Sequence, residues 1–272
     1  MLVPPSRVTN TRRVSPDESG PGGALRRALR IVEAVAEAGD GITAKALARR
    51  LSMSLPTVYR LLGALVEEGY LVRLHAVRGY GLGYRVVELA RDLTDHLTPP
   101  PAVREMLAEL HTDIGAATYL VVLRDTDVVV AHADSCTAHP GVAGLRTGEP
   151  VPAHATALGK AVLSRLGPGL LGDVLARSGV RALTPSTLTD RRLLDRELLR
   201  VRSAGIAVDV EEYTRGTAGI ALPLTGGPRI SAVGVSVSRA EFGTRRWELE
   251  RAVRDAAAPL SRLLTPAGAA SG

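Results

Sequence analysis

A chain of 272 residues with 45% hydrophobic and 23% charged residues has the composition of a globular protein and is long enough for two separate cores. No apolar run approaches the ~18 residues of a membrane span, and the basic opening MLVPPSRVTNTRRVSPDESGPGG has no apolar core of a signal peptide, which predicts a cytoplasmic protein with no membrane partner. A single cysteine, Cys136, excludes an internal disulfide framework and multi-cysteine zinc modules. The net charge of +6 asks for an anionic partner, and the excess is local: ten Lys or Arg face five Asp or Glu between residues 25 and 85, against twenty and eighteen between residues 99 and 272.

Residues 1–23, rich in Pro, Gly, Ser and Arg without periodicity, read as a disordered arm. From Ala24 to Ala38, Leu25, Ala28, Leu29, Ile31, Val32 and Val35 recur at helical spacing, and Gly39-Asp40-Gly41 ends the run. Thr43 is placed to cap a second helix, Ala44 to Leu51, with Lys45, Arg49 and Arg50 on its outer side. Ser52-Met53-Ser54 suits the tight turn of two crossed helices. Ser54 then caps a third helix in which Leu55 and Pro56 are the first positions, where proline is tolerated because its missing N–H would be unpaired anyway. Val58, Leu61, Leu62, Leu65 and Val66 form the inward stripe, leaving Thr57, Tyr59 and Arg60 nearer the outside, and Gly69 closes the helix. The segment YLVRLHAVRGYGLG reads as a hairpin turning at Val77-Arg78-Gly79 and carrying Arg73, His75 and Arg78.

Three helices and a hairpin predict a winged helix-turn-helix over residues 24–84, followed by a linker helix over 85–98 that Thr98-Pro99-Pro100-Pro101 breaks. Residues 99–265 then mix patterns: helix 103–114, strands 118–123 and 128–133, helices 156–164, 170–178 and 190–203, strands 206–210, 219–224 and 230–236, and a closing helix 245–264. The expected fold class is α+β with a largely antiparallel sheet. Residues 266–272 read as a flexible tail.

A recognition helix presents its N-terminal residues to base edges while the preceding helix crosses the phosphates. That places Ser54, Thr57, Tyr59 and Arg60 against double-stranded DNA, with Thr43 and Lys45 before them and Arg73 and Arg78 on the wing adding salt-dependent backbone attraction. Arg60 can pair with a guanine or grip a phosphate. In the second domain, His154, Lys160, Asp209, Glu211 and Glu212 form no recognisable catalytic or metal motif. Gly-x-Ser-x-Gly, P-loop and His-Glu-x-x-His patterns are absent from the sequence, so no catalytic residue, metal or cofactor is expected. Lys160 reads as a helix residue in a surface ion pair, and Asp209 and Glu211 as strand neighbours sharing one face. The alternative in another class is a small-molecule sensor or enzyme whose helical N-terminal module binds protein rather than DNA.

The run ALRIVEAVAEAGDGITAKALARRLSMSLPTVYRLLGALVEEGYLVR with the YGLG wing end resembles the N-terminal domain of the IclR family of bacterial transcriptional regulators. PVPAHATALGKAVLS, GIAVDVEEYTRGTAGIALPL and VGVSVS resemble successive stretches of its C-terminal domain. The resemblance implies a winged helix joined to a GAF-like effector-binding domain, assembled as a homodimer or tetramer on palindromic operators, with repression favoured over activation. It implies a small-molecule effector, a small organic acid being one candidate. The effector's contacts would fall on Ala155, Thr156, Ala157, Leu158, Asp209, Ser236 and Ser238, and on Gly219, where many members carry a cysteine.

Overall fold

The apolar stripes of the first helices meet in a small core of Ile31, Val35, Leu47, Val58, Leu61 and Leu62. In the computed structural model, which describes residues 21–227 and 229–265, these belong to α1 (Pro21–Ala38), α2 (Ala44–Leu51) and α3 (Leu55–Glu67), followed by a wing of β1 (Leu71–Leu74) and β2 (Gly79–Leu82) and by α4 (Tyr84–Leu97). Helix α1 begins three residues before the expected Ala24, within the segment read as an arm; residues 1–20 of that arm and the tail 266–272 lie outside the described residues. Thr43 caps α2 as expected, accepting Ala46 N–H at 3.2 Å. Ser54 occupies the N-cap position of α3 with extended backbone, but its hydroxyl bonds the Thr57 hydroxyl at 2.7 Å instead of a backbone amide. Pro56, at the second helical position, has no N–H to offer it.

The wing is tied to the helical core through the main chain. Gly41 N–H donates to Tyr80 O at 3.0 Å and Tyr80 N–H to Ile42 O at 2.9 Å, adding a third antiparallel rung beside the β1–β2 pair. Gly79 lies against the Gly41 backbone so closely that any Cβ would overlap it, which is why a glycine follows the wing turn.

Contacts along the chain divide it into two units, with the break between His96 and Leu97. In the second unit five antiparallel strands lie in the order β4-β3-β7-β6-β5: β3 (Ala117–Arg124), β4 (Asp127–Asp134), β5 (Ala207–Val210), β6 (Thr217–Leu224) and β7 (Ser231–Ser238). Alternate residues feed opposite cores. Tyr119, Val121, Val128 and Val130 pack with α6 (Ala157–Leu163), α7 (Pro168–Ser178) and α8 (Arg191–Ala204), while Leu120, Val122 and Val233 pack with α5 (Pro101–Ile114) and α9 (Arg239–Leu264). Both faces of the sheet are covered, so its strands are apolar on both sides. Helix α9 starts six residues earlier than expected because Ser238 and Glu241 form a capping box.

Candidate nucleic-acid interface and effector pocket

Burial sorts the residues of α3 cleanly. Val58, Leu61 and Leu62 are buried, while Ser54, Leu55, Tyr59 and Arg60 are exposed and Thr57 is half-buried beneath Ser54. Thr43 and Lys45 are exposed at the start of α2, and Arg73 and Arg78 on the wing, with Arg78 in a left-handed turn conformation (φ 49°). All eight residues expected to meet DNA thus lie in the helix-turn-helix or its wing, seven of them exposed. Arg50 is less available than its neighbour Arg49, since it is paired with Glu37 of α1.

The second site is assembled by strand register. Asp209 stands opposite Gly219, and Gly219 opposite Ser236, so three of the expected residues form one row across β5, β6 and β7. With strands about 4.8 Å apart, the ends of that row are roughly 10 Å apart. The start of α6 lies over it: Thr156 caps the helix by accepting Gly159 N–H at 3.0 Å, and Ala157 N–H donates to Asp209 Oδ2 at 2.9 Å. The row and the helix start line a small, partly open cavity, with Val142, Leu145, Leu158 and Val235 as apolar wall.

Thr156, Ala157, Leu158, Asp209, Gly219 and Ser236 line the cavity. Ala155 is buried without lining it, and Ser238 lies apart: its hydroxyl accepts Glu241 N–H at 3.2 Å and donates to Glu241 Oε2 at 2.6 Å. The family resemblance offered both serines, but Ser238 is already the cap of α9. Two tyrosines that sequence reasoning passed over complete the lining. The Tyr119 hydroxyl oxygen accepts Val142 N–H at 2.8 Å and lies 3.4 Å from Ser236 Oγ, and Tyr213 O–H donates to Ala143 O at 3.1 Å. Only the pairing of β3 beside β7 brings Tyr119 there.

Lys160 departs most from expectation: it is 1% exposed, not at the surface. All seven residues of α6 are buried, so the helix has no solvent face to give a lysine. Its ammonium donates to Val208 O and Glu212 Oε1, both at 2.6 Å, with Glu197 at 3.9 Å. Glu211 does not share the face of Asp209. Strand β5 ends at Val210, Glu211 turns left-handed (φ 58°), and its carboxylate accepts Gly216 N–H at 2.7 Å. The hydroxyls of Thr184 and Thr187 hold the Glu211 and Glu212 carbonyls at 2.6 Å each, which aims Glu212 at Lys160.

Burial raises the Asp209 carboxyl above its ordinary range, opposed by the Ala157 amide and by the charge of Lys160. For an acid raised on folding, the native state binds more protons than the unfolded one between the two pKa values. Its contribution therefore turns against folding as pH rises through that interval. Asp209→Asn, which keeps an acceptor for Ala157 N–H, is expected to be more stable than the wild type at neutral pH. The gap should close as pH falls below the ordinary aspartate value of about 3.9; urea midpoints measured across pH check both parts.

Among the described residues no three His, Cys, Asp or Glu side chains converge as metal ligands, and no helix is long and apolar enough to cross a membrane. Residues 24–75 match the IclR helix-turn-helix domain and residues 100–262 the C-terminal domain of the bacterial transcriptional regulator IclR. The chain is 32% identical over 235 residues to the HTH-type transcriptional regulator Rv1719 of Mycobacterium tuberculosis, spanning 84% of this chain and 87% of that one. The Thermotoga maritima IclR crystal structure shares the fold with a TM-score of 0.71 at 22% identity, over 90% of this chain and 100% of that one. The inducer-binding domain of the transcription factor PobR from Acinetobacter, solved as a double mutant with 3-hydroxybenzoic acid, is 26% identical with a TM-score of 0.53, over 60% of this chain and 96% of that one. Both domains of one family are thus matched in order along the chain, and the chain belongs to the IclR family of bacterial transcriptional regulators, with a DNA-binding helix-turn-helix domain and a ligand-binding C-terminal domain.

Proposed function

We propose that residues 24–84 bind a palindromic operator, that residues 85–98 act as the linker, and that residues 99–265 bind a small effector in the cavity over the Asp209–Gly219–Ser236 row, the whole acting in the cytoplasm. The observation that carries the DNA half is the division of α3, with its apolar stripe sealed in the core while Ser54, Tyr59 and Arg60 stay exposed at its leading end. Thr43, Lys45, Arg73 and Arg78 supply phosphate contacts on either side. Asp209, Ser236 and the start of α6 act as binding groups rather than catalysts.

A homodimer, alone or paired into a tetramer, is supported by apolar surface on the DNA-binding unit. Leu25 and Leu29 of α1 are exposed one turn apart, as are Leu89 and Leu93 of α4, and Tyr84 is 84% exposed. Apolar side chains at such spacing form a stripe that a second copy can cover. Repression is the favoured sign, because a dimer seated on a promoter excludes polymerase without any further contact surface, whereas activation needs one. The effector switches the protein only by binding one arrangement of the DNA-binding units more tightly than another.

Gel shifts on the DNA upstream of the protein's own gene test this reading. The wild type is expected to bind with an affinity that falls steeply as salt rises. Arg60→Ala is expected to lose about 10-fold or more at fixed salt, equivalent to ~1–3 kcal/mol for one base or phosphate contact. Wild-type binding that is absent, or indifferent to salt, returns the N-terminal unit to a protein-interaction role.

A further inference from the structure

The charge inside the cavity is one-sided. Asp209 is its single ionisable carboxylate, 7% exposed, and the Ala157 amide is the only hydrogen-bond partner the carboxylate has among the described residues. No lysine, arginine or histidine lines the cavity. Lys160, one turn along α6, bonds Val208 O and Glu212 and does not line the cavity, although its charge reaches Asp209.

Gly219 makes this arrangement fit. A Cβ at that position would come 2.8 Å from Asp209 Oδ2 and 3.6 Å from the Ala157 Cβ, so any larger residue forces the carboxylate to shift from its present place on the amide. With glycine there, the chain's own carboxylate occupies the Ala157 amide, and that donor is closed to a ligand carboxylate. A second carboxylate brought beside it cannot stay ionised without a cation, and the desolvated Asp209 oxygens call for a donor. A buried polar group left without its partner rejects the wrong ligand strongly, often by orders of magnitude.

Resting on the reading of this cavity as the effector site, we propose that it selects a neutral or cationic small molecule, one that presents a hydroxyl or amine hydrogen to Asp209 and a compact apolar body to Leu145, Leu158 and Val235. Gly219 sets that preference by keeping Asp209 docked on the Ala157 amide. The effector is then an alcohol, phenol or amine, not the small organic acid that the family resemblance implied.

Matched fragments test the charge rule: 3-hydroxybenzyl alcohol against 3-hydroxybenzoate, and benzylamine against benzoate, titrated calorimetrically into the full chain at neutral pH. The wild type is expected to prefer the neutral or cationic member at least 10-fold. Gly219→Ala, which displaces Asp209, and Asp209→Asn, which removes its charge, are each expected to narrow the ratio at least 10-fold through gained carboxylate affinity. If Gly219→Ala folds poorly, Asp209→Asn decides alone. Ser236→Leu fills the cavity and is expected to abolish binding of every fragment. Carboxylates that bind the wild type as tightly as their partners, and are lost in Ser236→Leu, overturn the charge rule while leaving the effector site in place. Failure of both classes to bind the wild type, or binding untouched by Ser236→Leu, overturns the effector-site reading and the charge rule with it.

Discussion

Lys160→Met is expected to destabilise the C-terminal unit by about 3–5 kcal/mol, lowering its unfolding midpoint by about 10 °C. The ammonium is 1% exposed and donates to a backbone carbonyl and to Glu212, with Glu197 nearby. Removing it leaves the Glu212 carboxylate buried with no cation, and Glu212 Oε2 already lacks any hydrogen-bond partner. Burial, helped by the charges of Asp209 and Glu197, raises the Glu212 carboxyl above its ordinary range, and Lys160 is the opposing influence. The loss is therefore the cost of an orphaned charge rather than the worth of the pair. The double variant Lys160→Met/Glu212→Leu removes both charges and is expected to recover most of the lost stability. Calorimetry on the two variants separates these contributions, and a single-variant loss under about 1 kcal/mol would mean that the pair behaves as if solvated.

Gly159→Ala is expected to cost about 3 kcal/mol or more, against the direction that helix propensity alone dictates. Alanine at an unconstrained helical position gains about 1 kcal/mol over glycine. Here the added methyl would run into the Ala153 backbone, its Cα, carbonyl carbon and oxygen together, and a main chain cannot swing aside as a side-chain tip does. Residues 152–156 form the turn that delivers Thr156 to its capping position, with Ala155 N–H on Pro152 O at 3.1 Å. Relief of the clash would move that turn and with it the edge of the cavity. Urea denaturation gives the sign directly: a gain in stability would show that the two segments approach less closely than this contact requires.

The recognition helix was legible in the sequence because its two constraints are local. A proline at the second helical position and an apolar stripe from Val58 identify start, face and direction without reference to the rest of the chain. The cavity was legible only through the family resemblance, which supplied Asp209, Gly219 and Ser236. Their common row follows from the register of β5, β6 and β7, which their spacing in the chain does not give. Tyr119 was not legible, because its place depends on β3 lying next to β7, a pairing between residues more than a hundred positions apart. Two misplacements had readable causes. Ser238-Arg239-Ala240-Glu241 has the spacing of a capping box, which moves the start of α9 forward and takes Ser238 out of the pocket. ALGKAVL is apolar on every side of a helix, a pattern that belongs to a buried element and leaves its lysine nowhere to emerge.

The main-chain rungs between Tyr80 and residues 41–42, with Gly79 pressed on Gly41, join the wing to the α1–α2 corner as a single stiff piece. Such a piece works as a stamp. Under the proposed reading, a dimer on a palindrome, the backbone positions of Lys45, Arg60 and Arg78 are expected to stay fixed within each stamp whether or not an effector is bound. What a ligand can alter is then the interval between two stamps, a quantity measured in base pairs of separation and turns of the duplex rather than in which bases are preferred.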